Sequence, residues 1–255
     1  MTDPVEVPVR DAATVVLLRD AAAGLETWLL TRARGMVFAG GHAVFPGGRV
    51  EASDGDVPWA GRPAADFAEL FACSEPVARA LIGAAVRETY EEAGVLLTVP
   101  AATLPDERAA VEAGRTAFPA LLRQHGLAVD ADELHPWSRW ITPEGMVRRY
   151  DTRFFLAELP ARARAQALTP EAASAGWFAV ADAVAAGDSG RLRMLPPTYA
   201  TLASLLPYRK VADVLAAAAA RSMEPIRGRL RPGGDRPAIE FPDGSVQLLP
   251  PEPAP

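Results

Sequence analysis

The first apolar run of the chain, residues 13–18, is aliphatic and partly β-branched. A second, residues 25–31, follows across the turn-forming Asp20-Ala21-Ala22-Ala23-Gly24, and together they predict a β-hairpin. Gly40-Gly41 and Pro46-Gly47-Gly48 bracket a short strand at 42–45 with glycines that can adopt backbone angles closed to other residues. Residues 52–75, rich in Asp, Ala and Pro, read as an insertion with a short helix over Ala64–Phe71. From Glu75 the pattern is strongly helical, with Pro76 in the first turn and Gly94 at the stop. Leu81, Ala85, Val86 and Thr89 are expected to face the core, and Glu88, Glu91 and Glu92 to share another face. Further on, strands are predicted at 95–99, 137–142, 150–156 and 176–180, and helices at 107–125, 198–206 and 211–221, with a hairpin around Asp243-Gly244. Strands and helices intersperse without a regular βαβ alternation, which predicts an α+β fold with a mixed sheet.

Composition narrows the class. Of 255 residues, 49% are hydrophobic and 23% charged, the balance of a packed globular chain, and the length admits one large domain or two small ones. A net charge of −6 argues against a nonspecific polyanion binder, so no nucleic-acid partner is expected. The basic residues are arginines apart from Lys210. The single cysteine, Cys73, excludes an intramolecular disulfide and a multi-cysteine metal site; it reads as a small buried apolar residue in a reducing compartment. Residues 1–10 lack the pattern of a signal peptide, and no run reaches the roughly 20 apolar residues of a membrane helix, so a cytoplasmic protein is expected.

The chemistry concentrates in one place. Residues three and four apart on a helix share a face, so Glu88, Glu91 and Glu92 aim three carboxylates into one small volume. They do so in the last turns, where the helix dipole disfavours each anion by a few tenths to about 1 kcal/mol. Nearby arginines such as Arg87, or a divalent cation held by hard oxygen ligands, with Mg²⁺ or Mn²⁺ the natural choices, would offset that repulsion. In isolation a Glu-x-x-Glu-Glu is most simply a solvated helix end.

Its surroundings change that reading. Gly47-Gly48-Arg49-Val50-Glu51, followed by Arg87-Glu88-Thr89-Tyr90-Glu91-Glu92-Ala93-Gly94-Val95, resembles the nudix box, Gly-x5-Glu-x7-Arg-Glu-U-x-Glu-Glu-x-Gly-U with U aliphatic. The second half matches at Arg87, Glu88, Glu91, Glu92, Gly94 and Val95, with Thr89 at an aliphatic position. The insertion separates Gly48 from the helix, and Arg79 stands where the box has its first glutamate; Glu51, Asp54, Asp66, Glu69 and Glu75 are the candidates to fold back in its place. The resemblance implies a nudix α/β/α sandwich over residues 10–206, with insertions at about 52–75 and 103–127, then a C-terminal helix and tail over 207–255. It further implies that Glu88, Glu91 and Glu92 hold Mg²⁺ or Mn²⁺, that a backbone carbonyl near Gly47 or Gly48 joins them, and that Arg87 orients a carboxylate. Metal-assisted attack of water on a diphosphate would follow, the base being one of these glutamates or a residue of a separate loop.

Leu29-Leu30-Thr31-Arg32-Ala33-Arg34 and Gly41-His42-Ala43-Val44-Phe45-Pro46-Gly47-Gly48 are similar to the signature that precedes the box in coenzyme A diphosphatases, although Arg32 follows Thr31 directly and Val37 replaces an arginine. The interrupted box, Tyr150-Asp151-Thr152-Arg153-Phe154-Phe155 and Leu195-Pro196-Pro197-Thr198 resemble the peroxisomal branch of those enzymes and its bacterial relatives. This implies cleavage of coenzyme A, to adenosine 3′,5′-bisphosphate and 4′-phosphopantetheine, or of an acyl-coenzyme A. Arg32 and Arg34 would meet phosphates through forked hydrogen bonds, against the plainer reading of surface arginines. Hydrolysis of ADP-ribose, NADH or a nucleotide sugar is the enzymatic alternative, and a catalytically silent nucleotide-binding module the non-enzymatic one. His42 and Trp137, Trp140 and Trp177 read as structural, Phe154 and Phe155 as alternating across a strand, and the alanine-rich segment 211–221 as a homodimer contact.

Overall fold

The structure is a computed structural model that describes residues 7–33, 39–166, 172–231, 238–242, 244 and 246–248. The hairpin forms as expected: β1 (Val9–Ala21) and β2 (Gly24–Arg32) pair antiparallel, with Ala21 opposite Gly24. The positive φ of 116° at Gly24 suits the tight return. Strands β3 (Ala43–Val44) and β4 (Gly47–Arg49) lie against β2 and β1, and the insertion carries β5 (Trp59–Ala60) and α1 (Ala64–Phe71). Helix α2 (Glu75–Ala93) has proline in its first turn and ends on Gly94, whose φ of 70° is the left-handed cap expected there. Leu81, Ala85, Val86 and Thr89 are all fully buried. The Thr89 hydroxyl donates to the Ala85 carbonyl at 2.7 Å, so a hydroxyl is satisfied at the aliphatic box position.

Three elements differ from expectation, the first being the strand predicted over 95–99, which forms only at residues 98–99. The single helix predicted over 107–125 is two, α3 (Arg108–Glu112) and α4 (Phe118–Gln124), after the strand β6 (Thr98–Val99). Gly114 takes a φ of 65° between them, and Pro119, which has no N–H to give a preceding turn, opens the second. The strand predicted over 176–180 is longer and ends sooner: after β7 (Ala128–Asp130), β8 (His135–Ile141) and β9 (Arg149–Glu158), β10 covers Ala172–Ala179 and Val180 opens an unexpected helix, α5 (Val180–Asp188). Helices α6 (Pro196–Leu205) and α7 (Val211–Ala218) follow. The C-terminal segment adds β11 (Pro225–Arg227), β12 (Arg229–Arg231), β13 (Ala238–Glu240) and β14 (Val246–Leu248). The last two pair as a hairpin around Gly244, Asp243 lying outside the described residues.

The main sheet runs β10-β2-β1-β9-β8-β11 and is mixed, β1 with β9 and β8 with β11 being parallel. Side chains alternate across a strand, so β1 splits between two cores. Ala13, Val15 and Leu17 pack with Phe155 under α2, whereas Val16 and Leu18 pack with Phe154 and Trp137 under α5, α6 and α7. The fold is therefore an α/β/α sandwich. The two insertions meet in a small sheet in which β7 pairs parallel with β5 and antiparallel with β6. The apolar side of α7, Val211, Val214 and Ala218, is buried in the chain's own second core. Among the described residues no helix is long and apolar enough to cross a membrane.

Candidate active site

Arg79, Gly83 and Arg87 recur every fourth residue along α2 and form one stripe. The 3₁₀ turn Asp54–Asp56 of the insertion lies on it. Gly83 permits this approach, since a Cβ there would fall 2.0 Å from the Asp54 carbonyl oxygen. Arg79 donates to the carbonyls of Gly55 at 3.3 Å and Val57 at 2.9 Å, with its guanidinium 4.9 Å from the Trp59 ring centre. Asp54, fully buried, then accepts a fork from Arg87, Nε to Oδ1 at 2.8 Å and Nη2 to Oδ2 at 3.0 Å. The Glu51 N–H also donates to Asp54, at 2.7 Å. Of the five candidates for the box glutamate's place, Asp54 is the one that meets Arg87. Glu51 pairs with Arg49 at the surface, and Asp66, Glu69 and Glu75 are exposed.

Arg87 has further work. Its Nη1 donates to Glu88 at 2.7 Å and to Glu91 at 3.3 Å, and its Nη2 to the Arg49 carbonyl at 3.0 Å. Burial alone would lower its pKa, but the Asp54 hydrogen bond and the charges of Glu88, Asp54 and Glu91 raise it above the ordinary arginine value. From the other side, β4 lays its glycines against the helix. A Cβ on Gly48 would fall 2.2 Å from the Glu88 carboxylate, and one on Gly47 would fall 2.6 Å from the Ala13 carbonyl oxygen. The Gly47 N–H donates to Glu92 at 2.9 Å. The chain thus sets the three glutamates in place from two sides.

These carboxylates are uneasy as anions. Burial pushes Glu88 up against the pull of Arg87, and burial pushes Glu91 up to about 7, again opposed by Arg87. Among the described residues no three acidic, histidine or cysteine side chains already close into a metal cage. Glu88, Glu91 and Glu92 nevertheless all open on one cleft of about 880 Å³. Three hard-oxygen donors, two of them with their charge disfavoured by burial, fit a divalent cation.

Arg10, Arg32, Arg49, Arg148 and Arg149 line the same cleft, together with Glu51 and Glu112. Arg32 is where the sequence placed it, whereas Arg34 lies outside the described residues. Arg10, Arg148 and Arg149 carried no motif. They arrive because β1 and β9 pair in parallel with Val9 opposite Arg149, a long-range register with no local signal. His42 is buried, near the Gly40 carbonyl at 3.1 Å, and burial lowers its pKa, so it is structural. Trp137 is core and Trp177 stacks edge-on against Trp28. Trp140 instead borders a second, apolar cavity. Cys73 is half-buried rather than buried.

Comparison with known proteins agrees with this geometry. Residues 64–205, more than half of the chain, match the family described as the NUDT19 Nudix domain. The acyl-coenzyme A diphosphatase NUDT19 of Gallus gallus is 28% identical over 300 positions, spanning 94% of this chain and 78% of that protein. Its namesake from Homo sapiens is 31% identical over 186 positions, but there the chain spans only 48% of the relative's length. The crystal structure of a NUDIX hydrolase from Alicyclobacillus acidocaldarius has 30% identity and a TM-score of 0.70, covering 86% of this chain and 99% of that one. Since the match takes in the whole acidic helix and the fold agrees around it, the chain belongs to the Nudix hydrolase family, in its NUDT19 group.

Proposed function

We propose that this chain hydrolyses the diphosphate linkage of coenzyme A or an acyl-coenzyme A, with Mg²⁺ or Mn²⁺ held by Glu88, Glu91 and Glu92. The observation that carries this reading is one cleft lined both by those carboxylates and by Arg10, Arg32, Arg49, Arg148 and Arg149. Coenzyme A carries a third phosphate beside its diphosphate, and a wall of guanidiniums suits so anionic a substrate. The relatives named as acyl-coenzyme A diphosphatases support the same choice.

The roles of the chain's own groups follow from their contacts. Arg87 holds Glu88 and Glu91, the Gly47 N–H holds Glu92, and Asp54 fixes Arg87, so the ligands are set before substrate arrives. The arginine wall binds and orients the phosphates and neutralises charge that builds on them as the bridging P–O bond breaks. When bound, the cation would supply Lewis-acid polarisation of the phosphoryl oxygens and acidify the water that attacks phosphorus. The oxygen of that water ends on one product phosphate, and the bridging oxygen leaves on the other, giving adenosine 3′,5′-bisphosphate and a 4′-phosphopantetheine that keeps its acyl group when a thioester is cleaved.

A turnover panel of coenzyme A, its thioesters, ADP-ribose, NADH and a nucleotide sugar, each with Mg²⁺ and Mn²⁺, tests this. The expected result is highest kcat/KM for coenzyme A or a thioester. Higher values for ADP-ribose, NADH or the sugar nucleotide would replace that substrate. Binding without metal-dependent turnover would favour the silent module.

A further inference from the structure

Beyond the arginines the cleft runs on into a cavity of about 200 Å³ with a different character. Its walls include Phe45, Trp140, Met146, Pro197, Ile239 and Phe241, and its polar side chains are Thr142 and Thr198 besides those it shares with the first space. Thr14, Arg32, Gly47, Tyr150 and Thr152 border both spaces, so a ligand held at the carboxylates can reach from one to the other.

Part of this cavity is made by a segment beyond residues 64–205, the stretch that matches the family domain. The wall is built, not incidental. Strand β11 anchors the segment to the main sheet by pairing Ile226 with Trp140. Phe241 stands edge-on to Trp140 with ring centres 5.7 Å apart, and Ile239 is buried. Gly228 lets the segment close, since a Cβ there would fall 2.2 Å from Ile239 Cγ2.

Coenzyme A presents two unlike arms about its diphosphate. The nucleotide arm bears another phosphate and a base with several ring and amino nitrogens, more polar groups than the few hydroxyls of a mainly apolar cavity would pair. One methylene beyond the phosphate, the other arm carries a quaternary carbon bearing two methyl groups, which gains from leaving water. We propose that the apolar cavity is the subsite for this non-nucleotide arm, the nucleotide arm lying along the arginines. The assignment rests on the coenzyme A reading above.

The two product halves separate the arms. Binding of 4′-phosphopantetheine and of adenosine 3′,5′-bisphosphate is measured by calorimetry on the full chain, with Phe241→Ala to open the cavity and Met146→Trp to fill it. Met146 lies in the loop between β8 and β9, outside the buried core, so that variant remains informative if the first fails to fold. Both variants are expected to weaken phosphopantetheine about tenfold while changing the bisphosphate less than about twofold. A loss confined to the bisphosphate, no change for either ligand, or no binding of phosphopantetheine by the unaltered chain would overturn the assignment. Failure of the coenzyme A reading itself is seen separately, as absence of coenzyme A turnover by the unaltered chain.

Discussion

At the scale of single residues, Asp54 and Arg87 form a buried pair that joins an inserted loop to the acidic helix. Breaking an isolated buried pair costs about 3–5 kcal/mol, and since Arg87 keeps Glu88 and Glu91 the loss of Asp54 should cost less, about 1–3 kcal/mol. Asp54→Ala is therefore expected to lower the urea midpoint by a corresponding amount and to reduce kcat more than it raises KM, because Glu88 and Glu91 lose their anchored arginine. Unchanged stability would contradict this assignment. The pKa of Glu91 makes a second prediction. Its folded value of about 7 exceeds the ordinary 4.5, so its contribution to stability is present below about 4.5 and is lost as pH rises through about 7. A bound cation favours the charged form, so the rise in Tm on adding Mg²⁺ should be larger near pH 8 than near pH 5, and equal rises at both would count against it. The shared face of the glutamates was legible from spacing, whereas their reading as a metal site with Arg87 and the glycine turn came from the resemblance to the nudix box. Asp54 was one of five alternatives, since which carboxylate folds back onto Arg87 depends on Gly83 and Arg79 admitting the loop. Arg10, Arg148 and Arg149 depend on strand register and could not be read locally.

At the scale of elements, the insertion works as an exchange. A basic residue, Arg79, occupies the helix position where the box has an acid, and holds the loop that returns an acid to Arg87. Gly83 is the point of closest approach. Gly83→Ala should displace the Asp54–Asp56 turn, destabilise the fold by about 1–3 kcal/mol and lower activity with it. Gly55→Ala in the same turn should be nearly silent, because its Cβ would meet nothing closer than 3.9 Å. Thermal melts and kcat for the pair check this, and equal effects from both would refute the close-approach argument. Helix α2 was legible over its full length, since Pro76, Gly94 and the buried stripe agree. Helix α5 was not, because within nine residues its buried positions are only Val180, Ala183 and Val184, too brief a pattern to stand out from an alanine-rich stretch. The helix predicted over 107–125 failed for the opposite reason, favourable composition overridden by Gly114 and Pro119.

For the whole molecule, the mixed sheet followed from the order of elements and the sandwich from the nudix resemblance, whereas the joining of β5, β6 and β7 followed from neither. Nor did the place of the C-terminal segment, which adds a strand to the main sheet and a wall to the apolar cavity. All of this frames one claim, that the acidic end of α2 holds a divalent cation for diphosphate hydrolysis. Mn²⁺ binding, followed by the loss of the free-ion magnetic resonance signal, tests it most directly when coenzyme A turnover is measured on the same samples of the unaltered chain and Glu92→Gln. Glu92 is only partly buried, so the substitution should leave the fold intact. The account predicts that Glu92→Gln weakens Mn²⁺ binding at least about tenfold and slows turnover about 10²–10³-fold. A folded variant that keeps both its Mn²⁺ affinity and its turnover would contradict it.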